Sequence, residues 1–348
     1  LAMILISITT SVPFFQIFFC LYLRGWRETT PLGDRQPLLL NTKKWGKEIM
    51  SSKASGVGLQ FLLDDRDVVK IPRKAVDIQQ QLGAGGFGAV FLGVWRHHKQ
   101  ELQVAIKKTH FAASTSPETL HDFMVEIKFL AQLEHPNILK LLGVVVIEEE
   151  SDVLMLTEYM SGGNLRDYMI PEVSLTTKSR LLLDVVEGMR FLHAHQPPIT
   201  HRDLKLENVL ISSEGVAKIA DFGLTVVQDH TMTQTIFGSI HIIAPEIFLK
   251  QKYDERIDVY SFGIMAAELF TGNSFHHQLR STVEWDFAMI EKILAGERPI
   301  LDPALVPEPL RNLLEECWAS DPTKRPPFVE IAPRLRRIHQ SCPQSSSS

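Results

Sequence analysis

The chain has 348 residues, with 36 Lys and Arg against 41 Asp and Glu, a net charge of −5 and 45% apolar side chains. That length holds one large domain or two lobes with separate cores, and so mild a charge leaves no basic footprint for a nucleic-acid partner. Cys20, Cys317 and Cys342 are too few and too scattered for a disulfide framework or a zinc site, so a reducing, cytosolic setting is expected for most of the chain.

Residues 1–23 carry no charged side chain and are rich in Ile, Leu and Phe; an uncharged apolar run of about 18 residues or more can span a bilayer. Arg24 and Arg27 follow, with Tyr22 and Trp26 beside them, the arrangement that the positive-inside rule and the interfacial aromatic belt put on the cytoplasmic side. Pro13 and Gln16 interrupt the run, the first residue is Leu, and no basic segment precedes it. Two readings stand: a transmembrane segment anchoring a single-pass protein, or a stretch foreign to a cytosolic one. Residues 24–70 mix charges with Pro, Gly and Ser and read as a juxtamembrane linker of little order. The globular part is expected over residues 71–339, with a polar tail over 340–348.

From Val76 the pattern turns to short strands. Residues 78–82 lead into the run Leu82, Gly83, Ala84, Gly85, Gly86, Phe87, Gly88, Ala89 and Val90, and β-favouring Phe91, Val94 and Trp95 follow. Glycine admits close approach of phosphate because no Cβ intervenes. A dinucleotide-binding loop of this spacing opens a helix, whereas strands flank this one, so a hairpin flap over a nucleotide is expected. Val104, Ala105 and Ile106 form a strand that ends in Lys107. Thr115, Ser116, Pro117 and Glu118 carry helix-start chemistry, after which Leu120, Phe123, Ile127 and Leu130 recur at helical spacing. Glu126 lies at the edge of that face. A buried carboxylate needs a cation, and Lys107, at the end of the preceding strand, is the candidate.

Residues 138–146 and 153–156 read as two more strands, and Thr157 to Met160 with Gly162 and Gly163 as the junction to a helical part. Helical periodicity covers 164–169 and 175–195, with Leu182, Val185, Met189 and Leu192 inward. Asp203, Lys205 and Asn208 then stand on a short polar stretch bounded by Val209, Leu210 and Ile211, and Asp221 begins the run Asp221, Phe222, Gly223. A carboxylate for a hydroxyl proton, a lysine for phosphate oxygens, and an amide with a second carboxylate for a divalent cation together suit phosphoryl transfer. The Thr-rich residues 224–243 read as a mobile loop, Asp258 opens an apolar helix reaching Phe270, and Cys317 reads as core.

In this order the motifs resemble those of the eukaryotic protein kinases over residues 76–339: the glycine loop, V-A-I-K ending at Lys107, the helix glutamate Glu126, H-R-D-x-K-x-x-N over 201–208, D-F-G at 221–223, A-P-E at 244–246, D-x-Y-S-F-G from Asp258, and C-W with R-P at Cys317 and Arg325. The resemblance implies an α+β, bilobal kinase fold, with a small β-rich N-lobe carrying one key helix and a larger helical C-lobe. It implies ATP and Mg²⁺ as cofactors and proteins as substrates. By it, Leu82 to Val90 cover the phosphates, Val90 and Ala105 lie above the adenine and Leu210 below, Glu158 to Met160 meet the adenine edge, and Thr157 is the gatekeeper. Lys107, held by Glu126, takes the α- and β-phosphates; Asp203 is the base, Lys205 steadies the γ-phosphate, and Asn208 and Asp221 hold magnesium.

The resemblance also implies a subtype. Lys205 and Ser239 are marks of serine/threonine kinases, while Gly162 to Leu165 and the Cys317, Trp318 and Arg325 set look like the tyrosine kinase side; together they resemble the tyrosine-kinase-like group. Ile240, His241, Ile242 and Ile243 stand where that group has an aromatic and Met, which leaves tyrosine or dual specificity open. Arg202 before Asp203 implies control by phosphorylation near Thr231, Thr233 or Thr235. The alternative of a catalytically dead scaffold carries the loss of one or more motif residues as its mark; Lys107, Asp203, Asn208 and Asp221 are all present.

Overall fold

A computed structural model describes residues 67–342 apart from 86–87, 111–116, 228–239 and 284. Residues 1–23 lie outside the described residues, among which no helix is long and apolar enough to cross a membrane.

Strands β1 (Val76–Gly85), β2 (Gly88–His97), β3 (Gln100–His110), β4 (Leu141–Ile147) and β5 (Asp152–Glu158) form one antiparallel sheet in the order β1-β2-β3-β5-β4. The β2–β3 link is a two-residue turn in which His98 and Lys99 both take positive φ, 47° and 67°, the geometry that matches strand twist. Alternation decides what β3 presents. Val104 and Ile106 are fully buried and pack with Val76, Val145, Leu154 and Leu156, so Ala105 and Lys107 project to the opposite face. Helix α1 (Pro117–Gln132) covers the sheet with Phe123, Ile127 and Leu130 buried.

The chain departs from the sequence expectation at both borders of this lobe. Residues 67–70, read as linker, do not trail free: Val68 is buried, Ile71 N–H donates to Val144 O at 2.8 Å, and Val144 N–H donates to Val69 O at 2.8 Å. The strand expected from Ile138 begins at Leu141 instead. Pro136 breaks the path, and Ile138 bridges to Ile219 while Leu139 N–H donates to Ile219 O at 2.9 Å. That segment therefore clips the sheet lobe onto the helical one. Asn137 adds to the clip, its Nδ2 donating to Ala217 O at 3.1 Å.

The second lobe holds α2 (Leu175–His193), β6 (Ile199–Thr200), β7 (Val209–Ile211), β8 (Ala217–Ile219), β9 (Val226–Val227), α3 (Pro245–Phe248), α4 (Arg256–Thr271), α5 (Phe275–Arg280), α6 (Asp286–Leu294), α7 (Glu308–Cys317) and α8 (Phe328–Ser341). β7 pairs with β8, and β6 with β9, so the stretch expected to be loop from 224 begins with a short strand. Residues 164–169, expected helical, make only a 3₁₀ turn over Leu165–Tyr168, and α2 ends two residues before the expected His195.

Helix α4 is the axis of this lobe. Every residue from Ile257 to Thr271 is buried, as expected of a helix apolar nearly all round. Three of its polar residues are bonded: Ser261 Oγ donates to Ile242 O at 2.8 Å, Glu268 Oε1 accepts from Phe275 N–H at 2.8 Å, and Asp258 faces the polar loop at 201–208; the buried Tyr260 hydroxyl has no partner among the described residues. Arg325 lies beside the helix, donating from Nη1 and Nη2 to the two carboxylate oxygens of buried Glu246 at 2.6 and 2.8 Å. Cys317 is fully buried, and burial pushes its thiol pKa up, so it acts as core packing.

Candidate active site

The upper wall of the cleft comes from the sheet. Gly85 pairs with Gly88 across the β1–β2 hairpin, and Ala89 and Val90 stand opposite Lys108 and Lys107 of β3. A Cβ at Gly83 would meet nothing within 4 Å, which leaves open space beside that backbone. Leu82 is exposed, Gly86 and Phe87 lie outside the described residues, and Ala105 pairs with Thr157 of β5. Below, strand β7 alternates: Val209 and Ile211 are buried while Leu210 is half-buried on the other face. Thr157 and Met160 are buried. Glu158 is an anchor, accepting from Lys218 Nζ at 2.8 and 2.9 Å and from Lys140 N–H at 2.8 Å.

Lys107 Nζ lies 2.5 Å from Glu126 Oε2, so β3 and α1 meet at an ion pair. Burial of the ammonium works to lower its pKa, but the carboxylates of Glu126 and Asp221 outweigh it and hold Lys107 above its usual value. Asp221 thus lies within electrostatic reach of a lysine on the other lobe.

The polar loop at 201–208 is suspended from Asp258, which is fully buried. His201 N–H donates to Asp258 Oδ2 at 2.8 Å, Arg202 N–H donates to Oδ1 at 2.9 Å, and His193 Nε2 adds a contact at 3.0 Å. Arg202 has φ 74°, a conformation costing on the order of 1–3 kcal/mol for a non-glycine residue. Hydrogen bonds to a buried carboxylate are strong enough to offset that. His201 Nε2 sits 3.0 Å from Ala220 O. A carbonyl only accepts, so Nε2 carries the proton and Nδ1 accepts the Asp203 N–H at 3.3 Å. Phe222 packs edge-on against the same imidazole. The loop and the 221–223 run are therefore held to one another.

Asp203 Oδ2 accepts from Lys205 Nζ at 2.5 Å and from Asn208 Nδ2 at 2.9 Å, and Asn208 Nδ2 also donates to Asp203 O at 2.8 Å. With its amide nitrogen so engaged, Asn208 has Oδ1 left to offer a cation. Asp221 takes φ 63° and is half-buried. An amide oxygen and a carboxylate are hard donors that suit Mg²⁺, which draws the rest of its shell from phosphate oxygens and water. The residues present fit the metal.

Arg202 Nη2 donates to the Tyr253 hydroxyl at 2.7 Å. Thr231, Thr233, Thr235 and Ser239 lie outside the described residues. Beyond them Ile240, His241 and Ile242 are all buried. Burial, helped by His276, Arg166 and Lys205, pushes His241 down to about 3, and burial pushes its neighbour Glu268 up to about 7. His241 is thus a neutral side chain near neutral pH. Sequence reasoning assigned no role to Asp258, His193 or Tyr253. The legible signal was a carboxylate opening an otherwise apolar helix.

The model for "Protein tyrosine and serine/threonine kinase" matches residues 76–335. The chain is 35% identical over 267 residues to "Probable serine/threonine-protein kinase drkD" of Dictyostelium discoideum, covering 76% of this chain and 20% of that protein. It is 32% identical over 274 residues to "Serine/threonine-protein kinase VIK" of Arabidopsis thaliana, covering 75% and 60%. It is 31% identical over 304 residues to "Dual specificity protein kinase splA" of D. discoideum, covering 81% and 12%. The chain thus spans only part of each relative. It belongs to the protein kinase family, with an antiparallel-sheet lobe and a helical lobe.

Replacing Glu126 with Gln leaves the burial of Lys107 opposed only by the more weakly acting Asp221 and Asp122. The Lys107 pKa should fall below its wild-type value, read by NMR titration of the ¹³C-dimethylated lysine, while the melting curve stays cooperative. An unmoved titration would show that the pair does not set the charge.

Proposed function

We propose that this kinase-family chain transfers the γ-phosphate of ATP to serine and threonine hydroxyls of protein substrates, through a domain spanning about residues 71–339. One observation carries the reading: the Asp203 carboxylate is nearly buried, gripped by Lys205 and Asn208, in a loop fixed from below by Asp258. A carboxylate so held can orient an acceptor hydroxyl and accept its proton. Lys205 Nζ, on the same oxygen, is positioned to steady the transferred phosphoryl group. Lys107 takes the α- and β-phosphate oxygens, with Glu126 fixing its reach. Mg²⁺, held by Asn208 and Asp221, would neutralise phosphate charge. Little covalent work falls to the protein, because phosphoryl transfer depends on position and charge.

Lys205 supports serine/threonine preference, as do two of the relatives by name; the name of splA keeps dual specificity as the second reading. The mixture of motifs supports membership of the tyrosine-kinase-like group. Arg202, next to the base and turned to Tyr253, supports control by a phosphate on the segment after Asp221. A phosphate on Thr231, Thr233 or Thr235 would compete with the tyrosine hydroxyl for the guanidinium.

A peptide array with radiolabelled ATP and Mg²⁺ tests the reaction. Incorporation into Ser and Thr peptides should exceed that into Tyr peptides, and Asp203→Asn should lower turnover by roughly 10²–10⁴-fold, the range for a general base. Equal signal in wild type and variant would refute the assignment. Thr→Ala at 231, 233 and 235 together should depress activity without lowering the melting temperature; full activity would refute the switch.

A further inference from the structure

The 3₁₀ turn Ile240–Ile242 packs on α4, and two polar side chains are buried together where they meet. Glu268 of α4 is 2% exposed; His241 of the turn is 6% exposed, with its Nε2 3.7 Å from Glu268 Oε1. That is too long for a hydrogen bond. Oε1 accepts only from the Phe275 N–H, at 2.8 Å, and His241 Nδ1 is buried with no partner among the described residues. Whichever ring nitrogen carries the proton, Nδ1 goes unmet, and an unmet buried polar atom costs free energy.

The charged groups around the pair are committed elsewhere. Arg166 Nε donates to Glu207 Oε1 at 2.6 Å, and Lys205 Nζ to Asp203 Oδ2 at 2.5 Å. Beside α5 stand Ser274, His276 and His277, and Arg280 next to His276 bonds Asp286. The rings of His241 and His276 lie edge-on at 5.6 Å. Among the described residues no Lys or Arg nitrogen comes within 4.0 Å of the Glu268 carboxylate. Burial thus outweighs these groups and pushes Glu268 up to about 7. A neutral acid there can turn its O–H toward His241 Nε2, whereas the anion is left with one backbone N–H. Water reaching the anion would also reach Nδ1, so one movement of the turn relieves both.

We propose that Glu268 and His241 form a proton-controlled positioning pair: the turn lies on α4 while Glu268 is protonated and lifts to admit water when it ionises, which weakens the hold on the protein substrate. His241 is within electrostatic reach of Lys205, which places the turn beside the transfer site. The effect on substrate rests on the phosphotransfer reading; the response of the turn does not. A carboxyl raised in the folded state contributes stability that is fully present below its ordinary value of 4.5 and lost as the pH rises to about 7.

The decisive comparison is wild type against Glu268→Gln, whose amide still accepts from Phe275 N–H and cannot ionise. Between pH 5 and pH 7.5 the melting temperature of the variant should gain roughly 2–4 °C on wild type; a constant difference would overturn the proposal. In peptide phosphorylation, the wild-type KM for peptide should rise about tenfold from pH 6 to pH 8, the scale of one hydrogen bond to a charged group. KM for ATP should stay level, and both should be flat in the variant. A peptide KM profile shared by the two proteins would also overturn it. Amide exchange on wild type needs neither catalysis nor the variant. The Ile243 N–H, which donates to Ile240 O at 3.2 Å, should lose about tenfold protection from pH 6 to pH 8 after correction for intrinsic rates. Unchanged protection would contradict the lifting turn even if Glu268→Gln failed to fold. A chain that transferred no phosphate would refute the proposed function, while melting and exchange would still decide the role of the pair.

Discussion

The arrangement of this molecule hangs on a buried carboxylate. Asp258 opens a helix with no solvent face, so its charge has to be met inside the protein. It is met by two consecutive backbone N–H groups and a histidine, and the chain accepts a left-handed Arg202 to aim both amides at it. The outcome is a loop with almost no freedom. Asp203 follows directly, and its side chain is braced by Lys205 and Asn208. A rigid apolar axis thus presents a polar group at a defined place, which is what positional catalysis needs.

The sheet lobe is fastened to that axis at a few points. Leu139 and Asn137 bond to β8, and Glu158 binds Lys218 on the same strand. Gly162 N–H donates to Ile211 O at 2.9 Å, and any Cβ there would come within 2.9 Å of Ile211 O and Ser212 O. These contacts set the floor and back of the cleft, while the Lys107–Glu126 pair sets the upper charge. Alternation in β3 and β7 does the rest, sending Ala105, Lys107 and Leu210 away from their own cores.

Much of this was legible because the features are local. Period-2 strands around the glycines, the 3.6-residue stripe of α2, and the polar residues between 203 and 221 can be read without knowing what packs where. A carboxylate at Glu126 on an apolar face demanded a cation, and one lay a strand away. What could not be read is non-local. Val69 and Ile71 pair with Val144 only once β4 exists, and Ile138 leaves the sheet because Ile219, eighty-one residues later, offers a better partner. The role of Asp258 depends on a loop more than fifty residues before it.

The most direct test of this account is Asp258→Asn. An amide there can satisfy only one of the two backbone N–H groups and turns its own N–H₂ toward the other. Measured by steady-state phosphotransfer beside nucleotide affinity and thermal melting, turnover should collapse while the nucleotide still binds and the domain still melts cooperatively. Turnover equal to wild type would contradict the claim that this buried carboxylate holds the reacting loop in place.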